Sequence, residues 1–263
     1  MGDVSYKPLI QDMTWSYSRI RAFTDCPYRW YLKYIRYPKE DRKNMFFSDY
    51  GTFVHELIAA FYSGEKTAEQ IHTEYLTGFK THVLGRAPNN KVFINYFVDG
   101  SQYLKSIQPS KNEVVAVEQK VETTVGNIPF VGYIDRVDRA KDGGLLVIDN
   151  KSRTLKPRSH RATPTKADIE LDEYLVQLYV YSSFVRDTYG VFPHKLCFNC
   201  FRNNLFIEEP FVKQDYNKAI RWVSDMVCQI ENEENFRPNM DYFKCRYLCE
   251  MNDHCDYYQL SRR

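Results

Sequence analysis

Hydrophobic positions change period once along the chain, near Pro109. In 16-SYSRIRAFTDCPYRWYLKYI-35 the spacing predicts two short helices. Ser16 or Ser18 caps the first, and Pro27, just after Cys26, suits the first position of the second. Residues 51–62 place apolar side chains at 53, 54, 57, 58 and 61, a helical stripe. Residues 67–83 and 91–107 read as helices separated by the breaker 84-LGRAPNN-90.

Beyond Pro109 the period drops to two. Residues 113–125 alternate and are rich in Val and Thr, Gly126-Asn127 is a turn signal, and 128–139 continues as a strand. The turn Asp142-Gly143-Gly144 leads into 145-LLVIDNKS-152, an apolar run of the kind found in central strands. A loop over 153–168, a helix over 169–188, a hairpin of 194–202 with 205–212 across Asn203-Asn204, and a helix over 213–234 come next. This order predicts an α/β fold, a mixed central sheet flanked by helices with a helical region added at the N-terminal side. The expected organisation is a single domain over 1–263: a helical region at 14–110, a core at 111–235, and a cysteine-rich tail at 236–263.

Composition narrows the class. With 43% hydrophobic and 27% charged residues among 263, the chain reads as globular. Net charge is only +2, so any surface for a polyanion must come from local clustering. The first residues lack an apolar signal region, and no run approaches the ~20 apolar residues of a membrane span. No membrane association and an intracellular, cytoplasmic setting are therefore expected. Gly2 invites a myristoylation reading, but Tyr6 stands where Ser or Thr is wanted. Seven cysteines in such a setting point to metal ligation or burial before disulfides. Cys197, Cys200 and Cys228 read as core or half-buried.

Candidate chemistry gathers at two strand ends. Asp135 lies near the end of the second strand and Asp149 near the end of the third. Antiparallel neighbours can bring the two carboxylates together as a hard oxygen site for Mg2+ or Mn2+. Lys151, two residues after Asp149, shares its face. An ammonium beside a carboxylate-bound metal suits phosphodiester hydrolysis. The alternative is a solvated Asp and Lys at a strand end, although the run LLVI suggests burial, where an unpaired charge is expensive. Asp138 points to the other face, and Glu118 and Glu122 read as solvated or ion-paired in preference to assisting the site. Residues 150–167 hold six Lys or Arg and no acid, so Arg153, Lys156, Arg158 and Arg161 are candidate DNA contacts. No P-loop is present, which leaves any helicase motor to a separate partner.

Together these segments carry a resemblance. V-G-Y-I-D-R-V-D-R followed by L-L-V-I-D-N-K-S, with Gly51-Thr-Phe-Val-His55 before and Gln177-Leu-Tyr-Val-Tyr181 after, resembles the RecB-like branch of the PD-(D/E)xK nuclease superfamily. The likeness runs from about Ser16 to Cys255 and implies a restriction-endonuclease-like fold. It implies a metal-dependent deoxyribonuclease, an exonuclease on single-stranded DNA or duplex ends. By the same resemblance His55, Asp135, Asp149 and the Asn150 carbonyl hold the metal, and Lys151 is the catalytic lysine. Gln177 and Tyr181 support the site and contact DNA. From the residues alone His55 reads first as a half-buried helix histidine, and Gln177 and Tyr181 can be ordinary packing. A catalytically silent DNA-binding or scaffold subunit on the same fold stays open, as does an oligomer.

Cys26-Pro27, with Cys245, Cys249 and Cys255, resembles the iron–sulfur subgroup of that branch, which includes CRISPR-adaptation and AddB-type nucleases of prokaryotes and viruses. Four thiolates can hold a [4Fe–4S] cluster that staples the tail to the N-terminal helices. The late spacing here is C-x3-C-x5-C, one residue longer than the subgroup's usual C-x2-C-x5-C, so four-cysteine zinc remains the alternative.

Overall fold

The computed structural model describes residues 6–159 and 161–261; the Gly2 reading lies outside them. The helices are α1 (Lys7–Gln11), α2 (Tyr17–Asp25), α3 (Pro27–Tyr31), α4 (Phe46–Tyr62), α5 (Ala68–His82), α6 (Asn90–Ser106), α7 (Lys166–Tyr189), α8 (Lys213–Glu231), α9 (Tyr242–Tyr247) and α10 (Asp256–Ser261). One sheet runs in the order β1 (Glu113–Val125), β2 (Ile128–Arg139), β3 (Leu145–Lys151), β4 (Lys195–Cys200), β5 (Leu205–Pro210). Within it, β3 and β4 are parallel and the other neighbours antiparallel. A parallel pair needs a crossover, and α7 supplies it. This is the mixed, helix-flanked α/β sheet that the pattern predicts, a restriction-endonuclease-like arrangement.

Boundaries shifted where local chemistry outweighs periodicity. Helix α7 starts at Lys166, not 169, because Thr165 Oγ1 accepts the Asp168 N–H while the Asp168 carboxylate accepts the Thr165 N–H. Helix α4 starts at Phe46, five residues before the expected start, because Phe46 and Tyr50 extend the buried stripe Phe53, Val54, Leu57 and Ile58. The tail, with no expected elements, forms α9 and α10. Cys228 is exposed: on α8 it falls outside the buried row Val223, Val227, Ile230. Cys197 and Cys200 are both buried.

Two large hydrophobic clusters hold the sheet and the N-terminal helices. One packs a face of the sheet (Val137, Val147, Phe198) against α7, α8, α2 and α3. The other is built almost entirely from α4, α5 and α6, around Phe53, Tyr75 and Phe79, with Phe201 reaching in from the end of β4. No described helix is long and apolar enough to cross a membrane.

Candidate active site

A row of carboxylates crosses three strands. The β1–β2 register pairs Val117 with Arg136 and Gln119 with Ile134, so Glu118 stands opposite Asp135. Extending the β2–β3 register one step beyond Arg136–Ile148 sets Asp135 opposite Asp149. The Asn150 N–H donates to Asp135 Oδ2 at 2.6 Å, closing that corner. Glu118 occupies the left-handed region at φ +46°, which a residue with a Cβ adopts only at a cost of about 1–2 kcal/mol.

Helix α4 brings His55 onto this row, its Nδ1 3.4 Å from Asp135 Oδ2. The Asn150 backbone carbonyl also faces the His55 ring. Ligand atoms of His55, Glu118 and Asp135 all lie within 4.8 Å of one another. Gly51, one helical turn earlier, leaves the α4 face bare, and an open cavity of about 710 Å³ runs past Gly51, His55, Glu56 and Glu118.

Lys151 lies on the other side of Asp149. Its Nζ is 2.8 Å from Asp149 Oδ2 and donates to Gln177 Oε1 at 2.7 Å. An ammonium has three N–H groups, so one remains for water or a phosphate oxygen. Gln177 Nε2 in turn donates to Tyr181 OH at 3.0 Å. One turn apart on α7, the two side chains form a ladder towards the lysine. Gly132 allows this: a Cβ there would stand 2.4 Å from Phe184 Cε2, so only glycine lets α7 settle this close to β2.

Crowded acids pay an electrostatic penalty. Burial, then the charge of Asp149, pushes the Asp135 carboxyl well above the ordinary carboxylate range; Glu118 adds to this, while the Asn150 N–H and Lys151 oppose it. Glu118 is raised by burial, Asp149 and Glu56. His55 is lowered, chiefly by burial, which favours the neutral ring that ligates metals. Burial raises the Tyr181 hydroxyl, so it remains protonated. Clustered carboxylates with a neutral imidazole and a backbone carbonyl are the donor set of a hard divalent cation, which reverses the penalty. Sequence reasoning favoured a solvated or ion-paired Glu118 over one that assists the site, and the cross-strand register sets it beside Asp135. Asp138 is instead buried in a pair with Arg136 (2.9 Å) and accepts from Ser110 at 2.6 Å.

The basic loop is divided. Arg158 is held by Glu209 at 2.7 Å and Asp172 at 2.6 Å, and Arg153 pairs with Glu170 at 2.6 Å. Lys156 and Arg161 are exposed. Arg153 also borders a cavity of about 480 Å³ that runs from Lys151 and Gln177 past Tyr17 to Lys244 and Cys245.

Cys26, Cys245, Cys249 and Cys255 line one small cavity with Leu32 and Met251. All four are free thiols. Burial pushes the Cys249 thiol up to about 12, and burial also raises Cys255, with Cys26 and Cys245 adding to it. The tail is tied down beside them. Glu250 pairs with Arg29 (2.8 Å) and Lys33 (3.0 Å), its carbonyl accepts the Asp41 N–H at 2.7 Å, and Asn44 Nδ2 donates to the Cys249 carbonyl at 3.1 Å.

Comparison with known proteins shows the family of this chain. A family model described as the PD-(D/E)XK nuclease superfamily matches residues 14–256. A candidate exonuclease from Eubacterium rectale, known by its crystal structure, superposes with a TM-score of 0.54 at 12% identity, covering 100% of this chain and 93% of that one. The crystal structure of SSO0001 aligns at 17% identity over 86% of this chain and 91% of that one, with a TM-score of 0.31. No curated protein sequence matches.

Proposed function

We propose a specific reaction for this chain, which belongs to the PD-(D/E)XK nuclease superfamily. It hydrolyses DNA phosphodiester bonds with Mg2+ or Mn2+, as an exonuclease of the RecB-like branch acting on single strands or duplex ends. The observation that carries this reading is the contact of Lys151 with both Asp149 and Gln177, beside the row Glu118, Asp135 and Asp149. His55, Asp135, Asp149 and the Asn150 carbonyl hold the cation, with Glu118 as a further carboxylate. When bound, such an ion polarises the phosphate and lowers the pKa of a water. Lys151 orients that water with its remaining N–H or neutralises charge building on the phosphate, and Gln177 keeps its ammonium aimed. Tyr181 fixes the rotamer of Gln177. Lys156, Arg161 and, after exchanging Glu170 for phosphate, Arg153 steer the strand; Arg158 serves mainly to anchor the loop.

The four cysteines fit a [4Fe–4S] cluster stapling the tail to the N-terminal helices, all in one domain. Their shared lining of one small cavity supports a common metal group. Zinc held by the four cysteines is the alternative. The protein works in the cytoplasm of a prokaryotic or virus-infected cell, alone or as an oligomer, in DNA recombination, repair or CRISPR-type adaptation, with any helicase supplied by a partner.

The test is degradation of end-labelled single- and double-stranded DNA with Mg2+ or Mn2+. Lys151→Ala is expected to lower the rate at least ~100-fold. Equal rates in the two proteins would sink the enzyme reading and leave a silent DNA-binding subunit. Anaerobically purified protein is expected to be brown and to bleach in Cys249→Ser; a colourless protein containing zinc would replace the cluster.

A further inference from the structure

The proposed metal ligands come from two bodies of packing. His55 rides on α4, within the cluster formed by α4, α5 and α6, while Asp135 and Asp149 belong to the sheet. A metal site split in this way needs something to hold the halves in register. Between Asp149 and Lys151, Asn150 points to the opposite face of β3. There its Oδ1 accepts from Asn199 Nδ2 at 2.7 Å. Asn199 is the parallel partner of Asn150 on β4 and is only 7% exposed. Its Nδ2 also donates to Tyr103 OH at 2.7 Å, and Tyr103 lies on α6, buried in the helical cluster. An amide nitrogen has two protons, and each has its own acceptor.

We propose that Asn199 is a positioning residue that clamps the sheet half of the metal site to the helical half. The main chain of Asn150 does two jobs in the site: its N–H holds Asp135 and its carbonyl faces His55. A side chain fixed from behind removes the freedom of that peptide to rock. The bond to Tyr103 carries the constraint into the body that supports His55. Neither Asn199 nor Tyr103 lines the cavities beside His55 and Lys151, so the clamp acts on metal affinity and not on DNA binding. Partners that orient metal ligands typically contribute a factor of about 10–100 in affinity.

This inference rests on the metal-site reading, and the experiment separates the two. Mn2+ binding is followed by electron paramagnetic resonance on the full chain without DNA. Asn199→Leu keeps the side-chain size and removes both donors; it is expected to raise the Mn2+ dissociation constant at least about tenfold. The KM for DNA at saturating Mn2+ is expected to stay within twofold of wild type, which a general loosening of the fold would not allow. Tyr103→Phe keeps the ring and removes one acceptor, and is expected to weaken Mn2+ roughly twofold to tenfold. If Asn199→Leu does not fold, as judged by circular dichroism, Tyr103→Phe decides alone. Mn2+ affinity within error of wild type in the folded variants overturns the clamp, even if the protein degrades DNA. A wild type that binds Mn2+ but cuts no DNA overturns the nuclease reading and leaves the clamp standing. A wild type that binds no Mn2+ overturns both.

Discussion

Asp135→Asn separates what the carboxylate does for the fold from what it does for a metal. The side chain is 12% exposed, faces Asp149 and Glu118, and is pushed well above the ordinary value of 3.8 by burial and those charges. A raised value means that the folded protein holds this proton more tightly than the unfolded chain. The stability it contributes is complete below pH 3.8 and is lost as pH rises through the folded value. At pH 7 without metal, the Asp135 carboxyl is therefore a liability. Asn keeps the shape and an oxygen for the Asn150 N–H, now 2.6 Å away, while removing the charge. The variant is expected to gain about 1 kcal/mol or more in chelator, raising Tm by roughly 2–4 °C per kcal/mol. A divalent ion inverts the order. Wild type at a hundredfold excess over its dissociation constant gains about 2.7 kcal/mol, and Asp135→Asn loses most of that. Thermal melts in EDTA and in Mn2+, with both proteins, read the crossing directly. A lower Tm for the variant in EDTA would refute the electrostatic reasoning. An undiminished Mn2+ shift in the variant would remove Asp135 from the ligand set.

Glu118→Gly tests stored strain at the same site: glycine normally weakens a strand, but here it relieves φ +46°, so metal-free Tm is expected to hold or rise while Mn2+ affinity falls roughly tenfold. A clear loss of Tm would show that the conformation is not strained. Glu250→Gln is expected to cost about 2–3 kcal/mol at pH 7 in urea unfolding, since it leaves Arg29 and Lys33 facing a neutral group. Burial pushes Glu250 up, but the charges and hydrogen bonds of Arg29 and then Lys33 outweigh it and hold the carboxyl below its ordinary 4.5. That contribution is present above pH 4.5 and lost as pH falls through the folded value, so the difference between wild type and variant should close in acid. Mn2+ affinity should also fall as pH is lowered from neutrality, because protons compete for Asp135 and His55; a pH-independent affinity would contradict this ligand set.

How much the sequence could reveal depends on how local each interaction is. Helices and strands rest on spacing, caps and turns, so their order is written in short windows, and the fold class comes from that order. Asp149 and Lys151 sit two apart on one strand, and Gln177 and Tyr181 one turn apart on one helix, so their shared faces are local facts as well. Glu118 is different. Its neighbour Asp135 lies across a hairpin, and a bulge between Val114 and Ala116 resets the register before the two come opposite. Nothing in EVVAVEQK marks that shift. The capture of Arg158 by Glu209 and Asp172 is equally non-local, so counting charges along 150–167 overstates what remains for a phosphate. Asn199 has no local signature, because its meaning depends on a parallel strand partner and on a tyrosine from another hydrophobic cluster. Residues that carry chemistry are thus legible by type and spacing. Residues that align one half of a site with the other are written only in the packing, and there a substitution can change metal affinity without touching a ligand.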